Sequence, residues 1–211
     1  MSMHETEDFY ELILNGEVDA FFELIRSFNM DFGTLKGMFL FGGIYDNMTP
    51  EGHEKMMAYD IGQTENEDAK KFVEDYRNWF ENKDDVAYYV KKAHDSMNIE
   101  QNMSAAQYYI QKGLEIDSKN TPLKLYEIYI FLNYAEDEEG NPLIKAYLEI
   151  IDMMIENGID RSELVAFARY LKAAAYYRLE EKEKSKTEMK KAIELMPEYQ
   201  AVYEDYFGKN D

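Results

Sequence analysis

The chain has 211 residues, with 43 acidic against 23 basic side chains and a net charge of −20. A field of that sign repels phosphate backbones, which argues against direct nucleic-acid binding. The absence of cysteine removes disulfides, thiolate nucleophiles and cysteine-ligated zinc and points to a reducing cytoplasm.

The longest apolar stretch, around residues 37–45, is far short of the roughly 20 residues a bilayer requires. The acidic start MSMHETEDFYEL does not read as a basic-then-apolar signal peptide, so a soluble chain with no membrane partner is expected. The charge is uneven: residues 1–100 hold 9 basic and 22 acidic side chains, and residues 101–211 hold 14 and 21. Eighteen tyrosines and twelve phenylalanines supply more apolar area than a disordered acidic tail contains.

In chain order, the apolar spacing predicts helices over 4–14 and 17–29. The segment DFGTLKGMFLFGGIYDNMTPEG, residues 31–52, then holds five of the 11 glycines. It reads as a connector with a short apolar helix over 34–41, packed closely through Gly33 and Gly37, and a turn at Gly42-Gly43. A helix over 50–61 opens on Thr49-Pro50, a capping residue followed by a proline whose missing N–H costs nothing there. Thr64-x-x-Glu67 marks the start of a helix over 65–81 as a capping box. Helices over 84–98 and 102–116 follow. Thr121-Pro122 and Asn141-Pro142 open helices over 122–134 and 142–157, separated by the acidic loop AEDEEGNP, residues 135–142. Asp160-x-x-Glu163, a second capping box with Asp in the capping role, opens a helix over 161–179, and helices over 182–196 and 198–207 complete the chain. No run alternates as a strand would, so the expected class is all-α.

Counting back from Pro197, Ala192, Met189 and Ser185 form a small–large–small series on the inner face of one helix. Ala173 and Tyr176 lie on the helix before it. Small residues let two helices approach, and large ones fill the space between pairs. The segment AYYRLEEKEKSKTEMKKAIELMPEY, residues 175–199, resembles the body of a tetratricopeptide repeat. Arg169 and Lys172 stand where that family places an aromatic residue and a leucine, and Glu180 replaces its turn glycine. Ala106, Ile110 and Gly113 repeat the same intervals upstream, with Ser118 at the place of the closing proline. The helices LKLYEIYIFLNY and LIKAYLEIIDMMIE between them form a third pair. The resemblance covers roughly residues 86–199. It implies antiparallel hairpins stacked as an α-solenoid over 84–211, capped by the tyrosine-rich helix 198–207, with residues 1–83 forming an additional N-terminal helical region.

Catalytic and metal signatures are missing. His4, His53 and His94 are scattered, and HEKMM lacks the second histidine of a zinc-protease helix. His94 falls at a helix-contact position and reads as a partly buried imidazole. No phosphate-binding glycine loop occurs. In the acidic loop before Gly140, the first and twelfth positions of a calcium loop would be Ala135 and Ala146, so both key carboxylates are absent. The run EEKEKSKTEMKK, with pairs Glu180–Lys184 and Glu188–Lys191, reads as a solvated helix face. A non-enzymatic chain with no cofactor and no metal is expected.

In tetratricopeptide arrays the first helix of each pair lines a concave groove. The resemblance therefore implies a peptide-binding face made of Tyr88, Lys91 and Asn98 in the first pair, Tyr129 and Asn133 in the middle, and Phe167, Tyr170, Tyr177 and Arg178 in the last. Asp95 stands where an acidic-tail clamp would need asparagine. The expected function is protein or peptide binding, of the adaptor, chaperone or regulator type. A competing reading is an acidic decoy that occupies the basic surface of a nucleic-acid-binding protein, and a third arrangement is self-association through the cap.

Overall fold

In the computed structural model, which describes residues 3–41, 43–134 and 137–208, the described residues form helices and contain no strand. The fold is all-α. The chain divides into two compact units, residues 1–117 and 118–211. The boundary therefore falls after residue 117, whereas the repeat spacing placed it at 83/84. The hairpin expected to open the array belongs to the first unit.

The first unit runs α1 (Met3–Leu14), α2 (Val18–Ser27), α3 (Phe32–Phe41), α4 (Ile44–Asn47), α5 (Pro50–Ala58), α6 (Glu67–Asn82), α7 (Val86–Asn98) and α8 (Met103–Ile116). Gly16 ends α1 in the left-handed conformation, φ +70°, and brings the turn against α5. There Thr49 caps α5 through Gly52 N–H, as its Thr-Pro sequence predicts, and also donates its own N–H and hydroxyl to the Leu14 carbonyl, each at 3.0 Å. The contact is tight enough that a Cβ on Gly52 would stand 2.1 Å from that carbonyl oxygen. Edge-to-face rings fill the interior, with Phe22–Phe32 centroids 4.9 Å apart and Phe32–Phe72 5.6 Å.

The glycine-rich segment forms its expected helix, but Gly33 is exposed: a Cβ there would meet Asp31 first, at 3.1 Å, and its carbonyl accepts from the Asn102 amide at 3.2 Å, while the expected packing of Gly37 lies outside the described residues. Beside its buried Phe32, Leu35 and Leu40, α3 is tied down by charge. Lys36, 8% exposed, pairs with Asp75 at 3.0 Å and Glu100 at 3.2 Å, and Lys92 reaches the other Asp75 oxygen at 2.8 Å. Burial opposes both charged forms. The pairing outweighs it, so the Lys36 ammonium is held above its usual range and the Asp75 carboxyl below its own.

The second unit runs α9 (Thr121–Tyr134), α10 (Asp137–Glu156), α11 (Ser162–Arg178), α12 (Lys182–Leu195) and α13 (Tyr199–Phe207). The Asn120 side chain accepts from Leu123 N–H at the start of α9, one residue before the expected Thr121. Helix α10 begins at Asp137, so Pro142 lies inside it and Asn141 is no cap. Much of the expected acidic loop is therefore helical backbone, while Ala135 and Glu136 lie outside the described residues. Neither expected capping box forms. Asn66 caps α6, and Arg161 precedes α11 with no side-chain cap bond.

Helices α11 and α12 form an antiparallel pair in the register the spacing predicted: Ala173, Ser185, Met189 and Ala192 are each 0% exposed. The buried Ser185 hydroxyl donates to the Ala173 carbonyl at 2.7 Å, which allows a polar residue at a contact position. Glu188 was expected on the solvated face and is instead 7% exposed. It binds Arg169 at 2.8 Å and Lys191 at 2.8 Å, with Lys172 at 3.9 Å. Lys172 also pairs with Asp152 of α10. An ion network thus occupies the place where the tetratricopeptide pattern has an aromatic residue and a leucine. Burial opposes the Glu188 carboxylate, but Lys191, Arg169 and Lys172 hold it below the usual range.

Candidate functional site

Helices α9, α11 and α13 carry one row of rings. Phe167 of α11 lies 6.1 Å from Tyr126 and 6.0 Å from Tyr129 on α9. It stacks on Tyr170 at 6.1 Å and 18°, and Tyr170 stacks on Tyr199 of α13 at 5.4 Å and 23°. Two turns further along, Tyr177 meets Tyr206 edge-on at 4.8 Å. The pairs 170/199 and 177/206 have the same offset, so α11 and α13 run parallel and in register. The Arg178 guanidinium donates to the Leu132 carbonyl near the end of α9 at 2.8 Å, so α9 runs parallel to α11 as well. All three helices end on the same side.

Exposure grades along the row. Phe167 and Tyr170 are half-buried, and both pack against the interior core of this unit. Tyr170 also packs against the Ala173–Met189–Tyr203 cluster beneath α13. Burial, reinforced by the Tyr206 and Tyr129 phenols, pushes the Tyr170 hydroxyl far above the ordinary phenol range. At the helix ends the rings open outward: Tyr177 is 40% and Tyr134 61% exposed. The Tyr129 hydroxyl is raised by burial and then by the Tyr134 and Tyr206 phenols. Asn133, exposed, donates back to the Tyr129 carbonyl at 2.7 Å. Arg178, expected in the groove, uses one guanidinium nitrogen on the α9 backbone.

The structure therefore groups Tyr129, Asn133, Phe167, Tyr170, Tyr177 and Arg178 in one unit. It does not group Tyr88, Lys91 and Asn98 with them, since these belong to the first unit. Tyr88 is buried, with its hydroxyl lacking a hydrogen-bond partner. It is a core residue and not a groove residue. Lys91 and Asn98 are exposed, and Asn98 donates to the His94 carbonyl at 3.0 Å. His94, expected to be partly buried, is exposed beside Asp95 at 3.4 Å. Helix spacing alone could not tell Tyr88 from Tyr177, because both lie on first helices with an aromatic neighbour.

Sequence reasoning missed Tyr199 and Tyr206 as members of the row. Their signal was present in the seven-residue spacing shared by 170/177 and 199/206. In the first unit, a cleft of about 750 Å³ opens beside Lys36, Lys71, Gln101 and Asn102, and a second of about 660 Å³ lies by Leu12, Glu17 and Lys55. Their lysines at 36 and 55 are held in ion pairs. No cluster of metal-ligating side chains occurs among the described residues. No family model, no curated protein and no solved structure matches this chain.

Proposed function

We propose that the second unit is a non-enzymatic binding module of the tetratricopeptide type, which takes a protein or peptide segment along α9, α11 and α13. The observation that supports this reading most is the row of rings on three parallel helices, opening at its end to two tyrosines that are 61% and 40% exposed. Tyrosine suits such a surface because it offers large area, loses little entropy and keeps a polar tip. No helix among the described residues is long and apolar enough to cross a membrane, and we place the module in the cytoplasm as an adaptor or regulator. The decoy reading belongs to the first unit, which holds 24 acidic and 10 basic residues against 19 and 13 in the second.

Panning the full-length chain against a random peptide library tests the reading. Selected peptides should lose binding to Tyr134→Ala and Tyr177→Ala, while a decoy would bind basic proteins through the first unit and ignore both substitutions. Failure to enrich any peptide would end the proposal.

A further inference from the structure

The chain holds two Asn-Gly dipeptides, Asn15-Gly16 and Asn157-Gly158. Their backbones match. Each directly follows the last residue of a helix, α1 in one case and α10 in the other. Each asparagine N–H donates four residues back, to Glu11 at 3.1 Å and to Met153 at 2.9 Å. Each glycine N–H donates three residues back, to Ile13 at 3.1 Å and to Ile155 at 3.2 Å. Both glycines have positive φ, +70° and +88°. Their surroundings differ. Gly16 is buried, and a Cβ on it would stand 2.6 Å from the Gly52 carbonyl oxygen. The Asn15 side-chain amide donates to the Glu11 carbonyl at 3.0 Å, and its oxygen lies 3.2 Å from the Thr49 hydroxyl. Asn157 and Gly158 are both exposed, and a Cβ on Gly158 would meet nothing within 4 Å. No hydrogen bond holds the Asn157 side chain among the described residues.

We propose that Asn157-Gly158 is a site of spontaneous deamidation in the folded protein, while Asn15-Gly16 is protected by its contacts with α5 and its cap. The Gly158 nitrogen loses its proton to hydroxide and attacks Cγ of Asn157. A new N–C bond forms, the Cγ–Nδ2 bond breaks, and the leaving nitrogen takes a proton from water and departs as ammonia. Water then opens the five-membered imide at either carbonyl, which leaves aspartate or isoaspartate. Glycine in second place suits the attack, because no side chain shields its nitrogen. At Asn157 the reaction requires only a free side chain to turn and one bond at an exposed helix end to open, and such ends open readily. At Asn15 the same turn must also break the side-chain bond to Glu11 and move the chain against Gly52. Either product adds a negative charge beside the C-terminus of α10, whose last turn has no basic residue and where a carboxylate is unfavourable.

The test incubates the full-length chain at mildly alkaline pH, folded and in guanidinium chloride, and follows both sites by peptide mapping and mass spectrometry. In denaturant the two should convert at similar rates, since each asparagine precedes glycine. In the folded chain Asn157 should convert about 10-fold or more faster than Asn15, because Asn15 must await local opening of its contacts. The rate at Asn157 should rise with pH, as hydroxide removes the Gly158 proton, and a more acidic form should separate on anion exchange. Asn157→Gln, whose longer side chain closes its ring slowly, should yield that form far more slowly. Equal rates at the two sites in the folded chain would overturn the proposal. So would an Asn157 that converts in denaturant but stays intact in the folded chain, or an acidic form that persists undiminished in Asn157→Gln.

Discussion

Glu180 shows how a single residue records the repeat pattern by violating it. It occupies the left-handed position after α11, φ +61°, with Glu180 N–H donating to Tyr177 and Glu181 N–H to Tyr176. This is the glycine-favouring helix stop that Gly16 makes after α1. A side chain there is strained, whereas glycine adopts the conformation freely at some entropic cost. Glu180→Gly should therefore raise stability by about 0.5–1 kcal/mol, read as a higher urea midpoint at unchanged slope. The sequence marked Glu180 as a missing turn glycine. The backbone angle shows that the turn forms without it.

At the scale of elements, helix faces and the α11–α12 pairing were legible, and contacts between more distant helices were not. Periodicity placed Ser185, Met189 and Ala192 on a buried face, because burial of one stripe is what selects that spacing. Ala192→Trp should cost about 3 kcal/mol or more, since an indole has no space in a contact that is 0% exposed. A thermal midpoint equal to that of the parent would contradict this packing. Tyr170 and Tyr177 share a helix face but not a role. Tyr170 is enclosed by Phe167 and Tyr199, and its truncation to alanine should destabilise by about 3 kcal/mol. Tyr177→Ala, at a ring that is 40% exposed, should cost about 1 kcal/mol or less of stability. Denaturant midpoints of the two variants measure the difference directly. Glu188 escaped the sequence reading because a charged run looks solvated until a neighbouring helix supplies Arg169 and Lys172.

At the scale of the whole molecule, the interior is phenolic, and this sets its response to alkali. Burial raises the Tyr76, Tyr89 and Tyr199 hydroxyls to about 12, and those of Tyr45 and Tyr109 well above the ordinary value of 10.0. A phenol raised in the fold favours the folded state fully below the unfolded value near 10. That contribution is lost as pH climbs from about 10 through the folded values. Tyrosinate absorbance should therefore appear late and together with loss of helical circular dichroism; early, independent titration of most tyrosines would show that they are solvated. On the acid side Asp75 and Glu188, both lowered, contribute stability above the usual carboxylate range that is lost as pH falls through their folded values.

The sequence by itself determined the class, the positions of most helices and their inward faces, because these depend on local propensity and on the period of the apolar pattern. It also determined which chemistries have no motif to carry them. The tertiary structure decided where the chain divides and that Tyr88 is enclosed while Tyr134 is open. It also decided that buried charges find partners on other helices and that α9 and α13 each run parallel to α11. Each of those outcomes depends on which faces meet across long sequence separations, and helix spacing carries no record of that choice.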